Sequence, residues 1–214
     1  MRLAILISIC VLLVAFSVGS LVVYENWRKE RYDPLIIEAA NQHHLHPALL
    51  KAIMDARGRF RYYARGERGE IGLLQVPQEG IARYKSEIMN DPDYDFGWVC
   101  INKGHPPHDE TIRQNLPGTC NICRSPLIRG ELYPKKNIEV GAWYLARLKS
   151  DIEQAARGKA GDVIPLVIAA YCLTDQTVRN VTDNYSDPVL PPRLRNPVRD
   201  VLDKYQRYKR KGLK

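Results

Sequence analysis

Three cysteines and two histidines lie close together in one stretch of this chain, at spacings that suit a metal ion. Cys100, His105, His108, Cys120 and Cys123 form the pattern Cys-x4-His-x2-His-x11-Cys-x2-Cys. Two cysteines separated by two residues can both reach one tetrahedral zinc ion, and an upstream cysteine with one histidine would complete the ligand set. The spacing therefore predicts a structural zinc site formed by Cys100, His105, Cys120 and Cys123.

Two other states of these cysteines remain open. Cys100 could form a disulfide with Cys120 or Cys123, which requires an oxidising compartment, or all three could remain thiols. The cysteines lie within residues 90–131, an irregular stretch that is rich in Pro and Gly. Either a metal ion or a disulfide would order such an insertion, because it has no regular structure of its own.

Apolar periodicity predicts that the rest of the chain is mainly α-helical. With 214 residues, the chain is long enough for one domain with a substantial core. Pro47 and Pro77 suit the first turn of a helix, and Gly58 suits a helix end. The predicted helices cover about residues 34–44, 47–58, 77–89, 137–148, 163–173 and 197–208.

The N-terminal segment has a different composition. Leu3 to Tyr24 contains no charged residue in 22 positions and is rich in Leu, Ile and Val, which is long enough for a helix that crosses a bilayer. We therefore expect a membrane anchor within residues 1–25 and the folded domain in residues 26–214. A signal peptide cleaved after Ser20 is the alternative, because Val18 and Ser20 are small enough for the cleavage site.

The net charge of +8 comes almost entirely from the end of the chain. Residues 193–214 contain nine Lys or Arg and two Asp. This basic tail predicts either a solvated last helix or a surface for anionic lipid, a polyanion or an acidic partner. Nucleic-acid binding is not expected, because the chain has no recognised motif for it and the basic stretch lacks a platform for base stacking.

Several sequence patterns, taken in order, resemble one family. They are YDPLI at 32–36, PALLKAI at 47–53, RF at 59–60, GEIGLLQVP at 69–77, NIEVGAWYL at 137–145 and AY at 170–171. Together, from about Tyr32 to Tyr208, they resemble the soluble-lytic-transglycosylase (SLT) domain. The resemblance implies a mainly α, lysozyme-like helical SLT domain, with the cysteine-containing insertion and one N-terminal transmembrane helix. That family cleaves peptidoglycan.

The resemblance fails at the residue that performs the family's chemistry. There, a helix ends in Glu-Ser-Arg-Phe, and the glutamate first protonates the glycosidic oxygen and then deprotonates the muramic 6-hydroxyl. Here the same four positions read RGRF, and Arg57 precedes Gln75 by 18 residues, the family's usual interval. A guanidinium stays protonated near neutral pH and cannot act as both acid and base. The resemblance therefore implies that Arg57 occupies the position of the catalytic glutamate.

A second departure lies near Tyr171. The family's Ala-Tyr-Asn-Ala-Gly is replaced by AYCLT at 170–174, so the amide expected near the sugar is the thiol of Cys172. Gln75 and Tyr171 are candidate glycan contacts by resemblance, or else supports of the core. Arg57 could form an ion pair with Glu70 or Asp55, or could bind a peptidoglycan carboxylate.

Other carboxylates could replace the missing glutamate. Glu67 and Glu70 lie across the expected cleft. Asp55 is two positions before Arg57 and should point to another side of the helix, because successive helical residues are about 100° apart. The resemblance thus leaves open a divergent transglycosylase that cleaves the MurNAc–GlcNAc bond with Glu67 or Glu70.

Three hypotheses follow. The first is an inactive SLT-like domain that binds a peptidoglycan strand or serves as a subunit of an envelope complex. The second is the divergent enzyme. The third is a structural subunit without affinity for glycan, which uses the insertion as its contact surface. Arg28, Lys29 and Arg31 would favour a cytoplasmic domain, but the resemblance implies a single-pass inner-membrane protein with the domain in the periplasm.

Overall fold

The computed structural model describes residues 2–91, 95–100, 118–120, 124, 127–155, 162–173 and 192–213, without the side chains of residues 2–10, 14, 173 and 192–195. The chain divides into two compact units, Met1–Pro34 and Leu35–Lys214. The described residues are mainly helical, so the mainly α part of the predicted fold class is confirmed. The boundary expected between residues 25 and 26 stays a prediction.

The first unit contains helix α1 (Arg2–Glu30). Its described apolar side chains are largely exposed, including Phe16 at 77%. The hydroxyls of Ser17 and Ser20 donate hydrogen bonds to the carbonyls of Leu13 and Phe16 in the preceding turn. Within the part of the chain that the structure describes, no helix is long and apolar enough to cross a membrane. The side chains of residues 3–10 and 14, which belong to the predicted anchor, fall outside that description.

The second unit is built from helices of 7 to 22 residues around one core. A π-helical turn (Met54–Gly58) continues α3, and one pair of two-residue strands accompanies the helices. The elements are α2 (Asp33–Gln42), α3 (Pro47–Ile53), α4 (Gln78–Glu87), β1 (Trp98–Val99), β2 (Ile128–Arg129), α5 (Pro134–Ala155), α6 (Ile164–Leu173) and α7 (Pro192–Arg210).

Helices α5 and α6 form the centre of the unit. Along α5 the buried residues Ile138, Leu145, Leu148 and Ile152 recur at helical spacing, so one face of the helix is apolar and the other is charged. In α6 the described side chains from 166 to 172 are all buried. An apolar sequence of this kind suits a helix that is enclosed by its neighbours.

Helix α7 starts five residues earlier than predicted, at Pro192, and contains Pro197. Pro197 is the sixth residue of the helix and has no N–H to donate to the carbonyl four positions earlier, so one helical hydrogen bond is missing in its second turn. The buried residues of α7 are Val198, Val201, Tyr205 and Tyr208. The described part of the basic segment is therefore a helix that packs through these four residues, with Arg199, Arg207, Lys209 and Arg210 exposed.

Helix α7 packs against α3. The Tyr208 hydroxyl donates a 2.7 Å hydrogen bond to Asp55 Oδ2, and the ammonium of the buried Lys51 lies 5.1 Å from the centre of the Tyr208 ring. A buried lysine needs such partners, because burial of an uncompensated charge is costly. These contacts fix the helix that leads into Arg57.

The two short strands form an element that the sequence did not predict. Trp98 pairs with Arg129 and Val99 with Ile128 in an antiparallel arrangement, so the two ends of the insertion are joined. Two-residue strands almost 30 positions apart leave no periodic pattern in a sequence. Most of residues 90–131 lie outside the described residues, so the irregular structure predicted for the rest of this stretch stays a prediction.

His46 is the N-cap of α3. Its Nδ1 accepts a 3.1 Å hydrogen bond from the Ala48 N–H, and its ring packs edge-on against Tyr205 at 5.7 Å. Burial, with a smaller effect from the charge of Lys209, lowers the pKa of His46. The cap requires the unprotonated Nδ1, so a lowered pKa and the capping bond are consistent.

This cap predicts a pH-dependent stability. With a folded-state pKa below the unfolded value, the unfolded chain binds more protons as pH falls through the mid-6 range, and the contribution of His46 is lost toward acid pH. His46→Ala should lower the free energy of unfolding by about 1 kcal/mol at pH 8 and by less at pH 5. Urea unfolding at the two pH values measures this. His46→Asn, which caps without titrating, is the control; equal losses for the alanine variant at both pH values would contradict the prediction.

Candidate functional site

The site is organised around a tight turn, residues 71–76, that follows Glu70. Ile71 and Val76 exchange two backbone hydrogen bonds of 3.1 and 2.9 Å. Between them, Gly72 and Gln75 have φ values of +77° and +52°, a left-handed conformation that glycine adopts without strain. A side chain at Gly72 would also overlap the amide of Asn137. The sequence GLLQ therefore forms a compact turn whose backbone faces α5.

Asn137, in the first turns of α5, holds this turn in place. Its Oδ1 accepts a 3.0 Å hydrogen bond from the Leu74 N–H, and its Nδ2 donates to the carbonyls of Ile71 (3.1 Å) and Glu131 (3.0 Å). Asn137 is only 1% exposed. An amide that is buried this completely stabilises the structure because its polar atoms are satisfied.

The π turn (Met54–Gly58) brings Arg57 next to the same turn. The Gly58 backbone lies directly against the Leu73 carbonyl, and any β-carbon at position 58 would overlap it. Arg59 and Phe60 then have φ values of +48° and +56°, which ends the helix. Gly58, which stands where the family has serine, is thus required by this close approach.

Arg57, Arg68 and Glu70 form one charged cluster. Arg57 Nη2 lies 3.1 Å from Glu70 Oε1, and Arg68 Nη2 lies 2.9 Å from the same oxygen. The Arg68 backbone N–H donates a 2.9 Å hydrogen bond to Glu70 Oε2. The side chains of Arg57, Arg68 and Glu70 are 23%, 46% and 6% exposed. A buried carboxylate is therefore bound by two guanidinium groups, and the cluster has an excess of one positive charge.

Hydrogen bonding decides the protonation state of Glu70. Burial alone would raise the pKa of its carboxyl, but hydrogen bonds from the Glu70 and Arg68 backbone and from the Arg68 guanidinium, together with the charge of that guanidinium, outweigh burial, and the pKa is lowered. Glu70 is consequently ionised at neutral pH and has no proton to donate.

Arg68 also connects the cluster to α6. A second hydrogen bond from its guanidinium goes to the backbone carbonyl of Cys172. Burial raises the pKa of the Cys172 thiol, and the nearby charges of Arg57 and Arg68 oppose that shift only in part. Cys172 is thus a protonated, buried thiol at neutral pH, in the place where the family has an amide.

The two candidate glycan contacts are both buried. Gln75 is 4% exposed, and its Nε2 donates a 2.9 Å hydrogen bond to the Gly72 carbonyl. Tyr171 is 2% exposed, and its hydroxyl donates a 3.2 Å hydrogen bond to the Leu74 carbonyl. Burial also raises the pKa of Tyr171 well above its usual value, so it remains a phenol. This geometry favours the support role that the sequence left open for both residues.

The other acidic candidates lie elsewhere. Asp55 accepts the hydrogen bond from Tyr208 and faces α7, so Arg57 pairs with Glu70 and not with Asp55. Glu67 is exposed on the loop. Of the two substitute carboxylates, Glu70 belongs to the cluster and Glu67 does not.

The structure describes only half of the predicted zinc site. Cys100 is half-buried and Cys120 is buried, whereas His105 and Cys123 lie outside the described residues. Among the residues that are described, no three or more His, Cys, Asp or Glu side chains are grouped as metal ligands would be. Zinc and the disulfide therefore both stay predictions.

Two important residues were not singled out from the sequence. Arg68 lies two positions before Glu70, and Arg-x-Glu in a short loop is a local signal for an ion pair. Asn137 opens the pattern NIEVGAWYL, and an asparagine at the start of an otherwise apolar helix face is a signal for a buried polar contact.

Comparison with known proteins establishes the fold. No protein-family model and no curated protein matches this chain in sequence. Among solved structures, the lytic transglycosylase Slt from Pseudomonas aeruginosa, crystallised as an inactive glutamate-to-glutamine mutant, is similar to the chain with a TM-score of 0.54 at 19% identity. The match covers 85% of this chain and 24% of the Slt chain. The chain thus shares the lysozyme-like helical fold of a minor part of that larger enzyme.

Proposed function

We propose that this chain is a catalytically inactive, lytic-transglycosylase-like protein that binds peptidoglycan, alone or within an envelope complex. The main support is the ion pair between Arg57 and Glu70. The position that resembles the family's catalytic glutamate is occupied by a permanent cation, and the acid beside it is held in its ionised form.

The alternative is a divergent transglycosylase, but the surroundings of its two candidate acids do not suit acid catalysis. An acid catalyst for glycoside cleavage must hold a proton at working pH, which such enzymes achieve by placing a carboxyl in apolar surroundings. Glu70 is surrounded by donors, and its pKa is lowered. Glu67 is exposed to solvent. Neither residue has the environment that this chemistry requires.

The decisive experiment measures binding and cleavage with the same protein. The full chain in a neutral detergent should sediment with purified peptidoglycan sacculi and should release no anhydromuropeptides during incubation. Sedimentation is read on gels and products by chromatography. Failure to sediment would contradict the proposal and favour a structural subunit without affinity for glycan.

Release of anhydromuropeptides would instead favour the divergent enzyme. In that case Glu67→Gln and Glu70→Gln should separate the two carboxylates, because only the acid that protonates the glycosidic oxygen is needed for product. Glu153→Gln, on the exposed face of α5, is the matched control. Activity that survives both substitutions would exclude these two residues as the acid.

The membrane anchor through residues 3–24 and the periplasmic position of the domain are part of the proposal. The anchor is supported by the uncharged, apolar composition of that segment and by the hydroxyls of Ser17 and Ser20, which donate hydrogen bonds within α1. The periplasmic position is supported by the resemblance to a peptidoglycan-cleaving family. Alkaline extraction of membranes and protease access in spheroplasts test retention and orientation separately.

A further inference from the structure

The loop that connects the π turn to the tight turn is unusually basic. Residues 57–70, here called the arginine loop, contain five arginines and two glutamates. Glu70 binds Arg57 and Arg68. The remaining three arginines are exposed, and none of them has a carboxylate partner among the residues that the structure describes: Arg59, Arg61 and Arg65.

The backbone that presents these arginines is ordered by hydrogen bonds. The Ala64 N–H donates to the Arg61 carbonyl at 3.1 Å, and the Ala64 carbonyl accepts from the Gly72 N–H at 2.8 Å. Arg65 forms a β-bridge with Ile71. Because these hydrogen bonds join the loop to the tight turn, the backbone that carries the three arginines is ordered before binding, which avoids part of the entropy lost on binding.

An exposed aromatic residue, Tyr63, lies between Arg61 and Arg65 in the sequence of this loop. Tyr63 is 60% exposed, and its ring packs edge-on against Tyr62 with 5.2 Å between centroids. The Tyr63 ring thus contacts Tyr62 and remains accessible. An exposed aromatic ring in the same short loop as three exposed arginines offers an apolar contact together with charge recognition.

We infer that the arginine loop binds an acidic glycan. The guanidinium groups of Arg59, Arg61 and Arg65 would pair with carboxylates along the strand, and the Tyr63 ring would pack against a sugar ring. This inference rests on the proposed function, because it gives the chemical class of glycan that the domain selects: one with free carboxylates. Single-stranded nucleic acid is a poorer fit, since its binding uses several stacking platforms along a groove and this loop exposes one ring.

The test compares two triple substitutions with equal changes of net charge. The first is Arg59→Glu, Arg61→Glu and Arg65→Glu in the loop. The matched control is Arg199→Glu, Arg207→Glu and Arg210→Glu on the exposed face of α7. The full chain in neutral detergent is titrated with sacculi, with sacculi whose carboxyl groups have been amidated, with oligogalacturonate and with a single-stranded oligonucleotide. Circular dichroism verifies that both variants remain folded.

The loop variant should bind sacculi and oligogalacturonate about tenfold more weakly than wild type, since three exposed ion pairs of modest strength are replaced by repulsion. The α7 variant should stay within about twofold. Amidation of the sacculi should weaken their binding by the wild-type protein to the level measured for the loop variant. A third variant combines Arg59→Gln, Arg61→Gln and Arg65→Gln, which removes the charges without adding repulsion. It should show an intermediate loss of binding, and it tests the inference even where the charge-reversed variant does not fold.

Several results would overturn the inference: equal losses in the loop and α7 variants, unchanged binding after loop reversal, no effect of amidation, or tighter binding of the oligonucleotide than of oligogalacturonate. The proposed function can fail separately. If wild type does not sediment with sacculi but binds oligogalacturonate through the loop, the proposed function is wrong and the acidic-glycan inference holds. If it binds neither ligand, both are wrong.

Discussion

Replacement of Asn137 by alanine is expected to lower the free energy of unfolding by about 3 kcal/mol or more. The substitution removes three buried hydrogen bonds at once. The Leu74 N–H and the carbonyls of Ile71 and Glu131 would then be left without these bonds, and a buried polar group that loses its partner costs about 1–3 kcal/mol. Urea unfolding of the full chain in detergent, followed by circular dichroism, measures the loss.

Two variants make this result specific. Asn41→Ala, at an exposed position of α2, should change stability by less than about 0.5 kcal/mol. Asn137→Asp has nearly the same shape but directs a carboxylate oxygen at two carbonyls, so it should also be destabilised, and less so at acid pH where the carboxyl can donate. If Asn137→Ala is no worse than Asn41→Ala, Asn137 does not hold the turn.

Replacement of Arg57 by glutamate is expected to destabilise the domain by about 2 kcal/mol at neutral pH. The change places two carboxylates where a salt bridge now stands, and like charges at this distance in a partly buried site repel by about 2–4 kcal/mol. Arg68 still binds Glu70 and offsets part of that repulsion. Unfolding curves of the variant and the wild type at pH 7.5 give the difference.

The pH dependence of this variant identifies the cause. Repulsion raises the pKa of one carboxyl of the pair above its unfolded value, so the penalty is present above that pKa and disappears as pH falls through it. Arg57→Gln, which has no charge, should show a smaller loss with little additional pH dependence. A loss in Arg57→Glu that is the same at pH 7.5 and pH 4.5 would exclude electrostatic repulsion as its origin.

Arg57→Glu is also informative about activity. We expect no anhydromuropeptides from this variant, because Cys172 still stands where the resembled family has an amide and Gly58 still brings the helix end against Leu73. A gain of cleavage would mean that only the glutamate is missing, and that the surrounding pocket is competent.

The sequence predicted the helices well where burial is periodic. The helix predicted over residues 137–148 is present within Pro134–Ala155, and its apolar residues Ile138, Ala142, Leu145 and Leu148 are all buried. The ends were less accurate, because residues 134–136 and 149–155 contribute mostly polar side chains. The π turn at Met54–Gly58 could not be read from the sequence, since one extra residue in a helical turn produces no periodic pattern of its own.

The residues of the site could be predicted from the sequence, but the ion pair that Arg57 forms could not. The resemblance pointed to Arg57, and two acids were possible partners. Only the direction of Asp55 toward Tyr208 and the return of the loop toward α3 show that Glu70 is the partner. Whether Gln75 and Tyr171 face a ligand or the core depends on burial, which a motif does not specify.

The pairing of α3 with α7 has a kinetic consequence. Asp55 and Tyr208 are 153 positions apart, so their contact closes a very long stretch of chain. The extra entropy of such a closure grows only slowly with length and barely reduces stability. The folding rate is affected more than the stability, because folding slows as contacts become less local. We expect α5 and α6 to form early and α3 to be completed late, so that the Arg57–Glu70 cluster is among the last parts of the domain to assemble.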